Sequence, residues 1–504
     1  MTPKIEPDPP VEFSVGYEDL KQRLNINKNV IIPQEFYDRL SDLGIRFDIK
    51  LQALAEHSRD WWPLSLQWAQ KAMVPTFPGV VIYPTSTNEI SKILKLAYEY
   101  VIPVTPAAGR SGVSGGVICI PGSISLDLTN VKEEFSVNED SKTLTVSCGY
   151  FGPEVESKLQ EDFALTLGHF PQSFDISTVG GWLACRSAGQ LSNKYGKIED
   201  MVLSLEVVLS DGSIIKTGTN APKSAVGPDL NQLFVGSEGT LGIISKATFR
   251  VHSLPKYKRK AAFSAQSFAN GLKVCQNIIQ REANIAVLRL YDSVESERNF
   301  KLKDKNIIIV MDEGERFLVD ANFSILLEEC KDLEVLDEKL VDDWLENRND
   351  VSGLGHFTKM GVCLDTIEIS SDWTSLPLLY DEVVTSLKAV EGTVNASAHQ
   401  SHAYMSGACL YFTFAGISGE NSGENFNETY YRLCWDAVMQ TVEKYNGAIS
   451  HHHGIGLNRS GYMKTALKES FSVLEGIKSQ LDPKGILNPF KLGLKVEEII
   501  SELP

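Results

Sequence analysis

The sequence predicts an α+β (α/β) protein: a two-part ligand-binding domain followed by a second, α+β domain. Three observations predict it. From residue 80 the chain runs strand, helix, strand and glycine-rich loop, an order that suits a layered ligand-binding domain. Two more glycine-rich stretches follow, STVGGW (177–182) and GSEGTLGII (236–244). Beyond residue 260 helical and strand-like runs alternate again, and 504 residues exceed what one core usually supports.

Residues 1–75 are expected to be an N-terminal helical extension, with Phe36, Leu40 and Leu43 at helix-face spacing. The first domain, expected over 76–256, opens with Val80-Val81-Ile82-Tyr83, a β-rich run ended by Pro84. Thr87 or Asn88 is placed to cap a helix carrying Ile90, Ile93, Leu94 and Ala97 on one face. Residues 101–104 read as the next strand and lead into PAAGRSGVSGG (106–116). Strands are expected at 123–128, 144–147, 204–209 and 243–251, with Ser210-Asp211-Gly212-Ser213 as a turn. Residues 256–260 read as a basic, solvated linker into a second domain over 257–450, where 268–280 is an amphipathic helix and 286–290 and 307–311 are strands. The last segment, 451–504, holds a histidine run and a closing helix (Phe471, Leu474, Ile477, Leu481) that Asp482-Pro483 stops.

Composition narrows the function classes. At 43% hydrophobic and 22% charged the chain is ordinary for a globular protein. Its 65 acidic residues outnumber 48 basic ones and no Lys/Arg block tracks a phosphate backbone, so no nucleic-acid partner is expected. The eight cysteines are scattered without a CxxC pair, which predicts reduced, mostly buried thiols. The N-terminus does not read as a secretory signal, no apolar run reaches the length of a membrane span, and the final tripeptide is no peroxisomal address. A cytoplasmic location is the expectation, with a homodimer left open as the assembly.

The loop at 106–116 has the spacing G-x-x-G-x-x-G-G, neither a Rossmann turn nor a P-loop. It offers backbone N–H groups and the Ser111 and Ser114 hydroxyls to a pyrophosphate bound without metal. A plain structural turn is the alternative, and for 171–182 it is a helix N-terminus capped by Ser177 or Thr178. Histidines cluster in the second half, His399 and His402 in one stretch and His451-His452-His453 in another. Consecutive side chains in a strand alternate faces, so at most two of the run would share an ion. Acid–base work or anion binding is the expected use, and no metal is expected.

The order PAAGRSG, then PQSFDISTVGGWLACRSAGQLSNKYGKIEDMV, then VGPDLNQLFVGSEGTLGII resembles the FAD-binding domain of the vanillyl-alcohol oxidase (PCMH) family. Within that family the chain is most similar to the alkyldihydroxyacetone-phosphate synthase branch and its bacterial relatives, over roughly residues 60–495. The resemblance implies FAD contacts at Pro106, Ala107, Ala108, Gly109, Arg110, Ser111 and Gly112, and at Gln172, Ser173, Phe174, Asp175, Ile176, Ser177 and Thr178. It implies further contacts at Cys185, Arg186, Ser187 and Ala188, and at Glu238, Gly239, Thr240, Leu241, Gly242, Ile243 and Ile244. Because 109–112 contains no His or Cys, the FAD is expected to be noncovalent.

The same resemblance places a proton-transferring tyrosine at Tyr411, an essential histidine run at His451, His452 and His453, and an arginine needed for activity at Arg289. One departure stands out. The branch's substrate-binding arginine falls in 361–365, which here contains none, leaving His402 as the substrate-binding candidate with fewer donors for a phosphate. The activity implied is exchange of an acyl group for a fatty alcohol on a ketone phosphate, without net redox change, on a small or lipid-like substrate. The rival is a FAD-dependent dehydrogenase of a D-2-hydroxy acid such as lactate or glycolate. A flavin-binding protein without turnover is the third class.

Overall fold

The computed structural model describes residues 8–26, 29–219, 221–419, 423 and 425–499. Residues 1–7 of the expected extension, and 500–504 with the final tripeptide, lie outside them. Three larger sheets carry the fold. The first has four strands in the order Phe47–Asp48, Val80–Ile82, Ile124–Asp127 and Val104–Ala107, the last three mutually parallel. Val80–Ile82 and Ile124–Asp127 are buried at every position, as strands of a covered parallel sheet are. The helix Thr87–Tyr100 packs Ile90, Ile93, Leu94 and Ala97 into that core.

The second sheet has five antiparallel strands, ordered Ile214–Lys216, Val202–Val208, Ile243–Arg250, Thr143–Ser147 and Phe135–Asn138. These two sheets, each with its own core, make the two parts of the loop-bearing half. The third is a seven-stranded antiparallel sheet in the order Glu334–Leu336, Tyr257–Ala265, Asn306–Gly314, Val287–Tyr291, Thr393–Ala403, Gly407–Gly416 and Cys363–Asp372. The helices Phe268–Gln280, Leu376–Ala389 and Phe426–Lys444 bury apolar faces in the core beside it.

Several local expectations change. Ser86 caps the first-domain helix, accepting from Glu89 N at 3.2 Å, because Thr87 and Asn88 are already inside it. Val101 is that helix's left-handed C-cap at φ 56°, so the next strand starts at Val104. Residues 256–260 are no linker. From Tyr257 they form a strand of the seven-stranded sheet, where cross-strand hydrogen bonds outweigh the basic composition. Leu43 caps its helix and stays exposed, while Phe36 and Leu40 are buried.

The first 75 residues mix helices with short strands. Their helix Pro63–Gln70 packs against the helix Ser352–Lys359 and the strand Cys363–Asp372. Trp62, Leu64 and Trp68 join the core of the second half. All eight cysteines are free, seven of them buried. Among the described residues no helix is long and apolar enough to cross a membrane.

Candidate active site

A cavity of about 1310 Å³ lies between the three glycine segments and one face of the seven-stranded sheet. All seven residues from Pro106 to Gly112 line it, with Gln172, Ser173, Ile176, Ser177, Thr178, Cys185, Ser187, Glu238, Gly239, Gly242, Ile243 and Ile244. Arg289, Tyr411, His452 and His453 line it from the sheet side. Six expected cofactor contacts do not. Phe174 and Leu241 turn into the apolar core, Thr240 is buried with its hydroxyl on Ser237 O, and Ala188 is buried. Asp175 faces solvent, and Arg186 is a helix C-cap whose guanidinium points to Glu199. His451 and His402 also stand behind the cavity wall.

The glycine loops present backbone and empty space to the cavity. A Cβ on Gly116 would meet nothing within 4 Å, and one on Gly112 would find only Asp60 Oδ2 at 3.5 Å, so side chains there would fill the cavity. Gly239 answers a different need: at φ +73° its Cβ would sit 2.3 Å from Pro106. Asp60 braces the first loop, accepting from Trp62 N and Gly116 N, and burial pushes its pKa up to about 7. Arg110 points away from the cavity: Nη1 donates to Glu56 O at 2.7 Å and Nη2 meets Asp8, so only its backbone is offered there. Asn488, which lines the cavity, has its Oδ1 buried without a partner among the described residues. A flat, polar-edged group with a pyrophosphate fits this cradle of bare backbone and an unanswered polar atom.

The sheet assembles the other wall by register. Tyr291, His399, Tyr411 and Glu368 stand directly opposite one another on four neighbouring strands, and residues so paired share a face. The Tyr411 ring stacks on His399 with centroids 4.9 Å apart. Its Oη accepts from Thr366 Oγ1 at 3.1 Å and lies 3.2 Å from His453 Nε2. Burial raises the Tyr411 pKa, so the phenol is protonated.

Glu368 organises the histidine run. Oε1 accepts from the backbone N–H of His451, His452 and His453 at 3.1, 3.2 and 2.9 Å. Arg459, itself 1% exposed, meets both carboxylate oxygens. His453 Nδ1 lies 3.1 Å from Oε2, off the line of a hydrogen bond, so that contact is electrostatic. Burial alone would raise the Glu368 pKa, but Arg459 and His453 hold it well below the carboxylate range. Glu238 ties the same loop to the third glycine segment, accepting from Ile455 N and Gly456 N.

The run is a series of bends, not a strand, so two of its members turn the same way. Ligand atoms of His402, His451 and His452 lie within 4.8 Å of one another. His402 Nδ1 meets Ser192 Oγ at 2.6 Å and His451 Nε2 meets Tyr404 Oη at 2.6 Å. Burial lowers the pKa of all three, to about 4 for His451, so these imidazoles are neutral at neutral pH. A neutral, 3% exposed His402 is no phosphate holder.

Reading the sequence missed Glu368, Arg459, Glu295 and Asp365. The signal for Glu368 was an acid between Ile367 and Ile369 in a strand-like run, since a buried charge there demands a partner. Asp365 lines the cavity in the stretch without an arginine; burial pushes its pKa up to about 6, and Tyr431 and Trp435 donate to it.

Glycine loops facing a row of tyrosine and histidine side chains across one cavity are the arrangement of a flavin-type nucleotide enzyme. The chain belongs to the FAD-linked oxidases whose FAD-binding domain is of the vanillyl-alcohol oxidase (PCMH) type. The family model for the FAD binding domain matches residues 78–218, and that for the C-terminal domain of FAD linked oxidases matches 254–492. An alkyldihydroxyacetonephosphate synthase of Dictyostelium discoideum is 29% identical over 471 residues, covering 86% of this chain and 76% of that protein. A glycolate oxidase subunit GlcD of Bacillus subtilis is 25% identical over 435 residues, covering 83% and 90%. The fold matches a solved alkyldihydroxyacetonephosphate synthase at TM-score 0.75 and 24% identity, covering 94% of this chain and 89% of that one.

Proposed function

We propose that this FAD enzyme exchanges an acyl group for an alkyl group on a ketone phosphate, as an alkyldihydroxyacetone-phosphate synthase does, with FAD held noncovalently. The observation that carries the reading is the contact of Tyr411 Oη with His453 Nε2 at 3.2 Å on the cavity wall. A protonated phenol in contact with an imidazole can give up a proton to a departing group and take one from an incoming alcohol. The charge gathering on His453 in that step lies beside Glu368, whose own charge Arg459 balances.

An apolar arm of the cavity, with Leu354, Phe357, Met360, Val362, Val394 and Ile417 on its wall, suits an alkyl chain. Phe357 and Met360 are exposed at its mouth. Arg289 suits an anionic head at the polar end. FAD, when bound, supplies the electron-poor ring at which the substrate carbon reacts. The loop at 106–112 has no His or Cys for a tether, and burial raises the pKa of Cys148 and Cys185, leaving both as poor nucleophiles.

A second reading is a FAD-dependent dehydrogenase of a D-2-hydroxy acid. The glycolate oxidase relative favours it, and so does Asp365, whose partly retained charge would repel a phosphate dianion. Anaerobic substrate addition separates the two. Bleaching of the flavin by D-lactate or glycolate supports the dehydrogenase, and alkyl-for-acyl exchange without bleaching supports the synthase.

A further inference from the structure

His399 is the histidine whose proton the surroundings locate. Its Nε2 lies 2.8 Å from Arg289 Nη2, and a guanidinium can only donate. Nε2 therefore carries the lone pair. The ring proton sits on Nδ1, 2.8 Å from Glu295 Oε2. Glu295 is itself fixed from several sides: it is 1% exposed, its Oε1 accepts from Thr413 Oγ1 at 2.9 Å, and Arg298 lies 3.1 Å away. The chain of contacts runs in one direction, from the Arg289 donor to the neutral imidazole to the carboxylate.

Arg289 is unusual at the other end of that chain. It is 8% exposed, yet no carboxylate lies within ion-pair distance among the described residues. Nε donates to Tyr291 Oη at 2.9 Å, and the guanidinium lies 5.3 Å from the Trp344 ring centroid. Nη1 has no hydrogen-bond partner among the described residues, and Arg289 lines the cavity. A buried guanidinium held at two nitrogens and left open at the third is built to receive an anion.

We propose that Glu295 and His399 are positioning residues that fix the pose of Arg289, so that its Nη1 edge binds the anionic head of the substrate, a phosphate or a carboxylate. The inference rests on the reading that the substrate carries such a head. Glu295 does its work through His399: a carboxylate at Nδ1 keeps the proton there and keeps Nε2 free to accept. Without it the imidazole can adopt the other tautomer, whose Nε2–H opposes the Arg289 donor. The guanidinium then loses one of its two anchors, and an arginine free to swing binds an anion more weakly.

The test uses the holoenzyme, titrated with inorganic phosphate and separately with oxalate, and follows the flavin absorbance difference spectrum. His399→Leu and Glu295→Leu should each weaken the better-bound probe by about tenfold or more, a loss of one positioned charge-assisted contact. Glu295→Gln, whose amide oxygen can still accept from Nδ1–H, should recover most of the affinity. Flavin content and melting temperature serve as controls, because a purely structural role would move those first. If Arg289→Lys weakens the probe but the folded, flavin-loaded His399→Leu and Glu295→Leu proteins bind it as the parent does, the positioning role is overturned and the anionic-substrate reading stands. If the parent protein binds neither probe, the anionic-substrate reading itself fails. Preference for phosphate over oxalate, or the reverse, identifies the head.

Discussion

Tyr411 and Glu368 stand directly opposite each other on neighbouring strands, and the carboxylate facing the tyrosine also anchors the loop that brings His453 to the tyrosine's hydroxyl. One cross-strand register therefore sets both partners of the proposed proton-transfer pair.

Tyr411→Phe removes the hydroxyl and leaves the stacking on His399. Turnover should fall by about 10²- to 10⁴-fold, the usual worth of a positioned acid–base group. Flavin content and melting temperature should stay near those of the parent. Steady-state assays beside a flavin absorbance spectrum check both halves, and an unchanged rate would remove Tyr411 from the mechanism.

Glu368→Gln strips the buried Arg459 of its counter-ion. Leaving one charge of a buried pair unmatched costs about 3–5 kcal/mol, so denaturant unfolding should show a loss of that order. Adding Arg459→Met should return part of it, because the orphaned charge goes too. Activity should not return with stability, since His453 would still lack the carboxylate charge beside it. A double variant as active as the parent would contradict this role.

Gly112→Val tests the cradle. The nearest atom to a Cβ there is Asp60 Oδ2 at 3.5 Å, so the protein should tolerate the change while the cavity loses space. FAD affinity should drop by about tenfold or more, read as the ratio of flavin to protein absorbance at fixed added FAD. Full loading at parental affinity would place the nucleotide elsewhere.

The pH dependence of stability has a definite sign. His451 is held neutral by burial with a pKa near 4, against about 6.5 in an unfolded chain. As pH falls below the unfolded value, the unfolded chain takes up the proton first. The stabilisation is therefore whole above about pH 6.5 and is lost as pH falls toward 4, with a limiting slope of about 1.4 kcal/mol per pH unit for each such histidine. His402 and His452 shift in the same direction. Melting temperatures should fall between pH 7.5 and 5, and His451→Gln should flatten the fall. A melting temperature independent of pH across that range would oppose the assignment of neutral, buried imidazoles.

Much of this architecture was legible in the sequence. Gly239 marks a place where the backbone must pass close to a neighbour, Gly112 one where a side chain would fill the cavity, and the apolar spacing of Ile90, Ile93, Leu94 and Ala97 marks a helix. The strand at 257–265 was not legible, because lysines and arginines at an exposed strand start look the same as those of a linker; only pairing with Asn306–Gly314 distinguishes them. Glu368 was hidden for a similar reason. Its meaning depends on Arg459 and on the histidine loop, both distant in sequence and brought together by the fold. The expected alternation of the histidine run failed because Glu368 binds three successive N–H groups, which bends the chain out of an extended path.

Alkyl-for-acyl exchange without net redox can be followed in one anaerobic experiment. The flavin-loaded protein is mixed with acylated dihydroxyacetone phosphate and a long-chain fatty alcohol while ether product, released fatty acid and flavin absorbance are followed together. Ether product and fatty acid should form in equal amounts with the flavin still oxidised at the end. Bleaching by D-lactate or glycolate, with no ether product formed, would contradict the exchange.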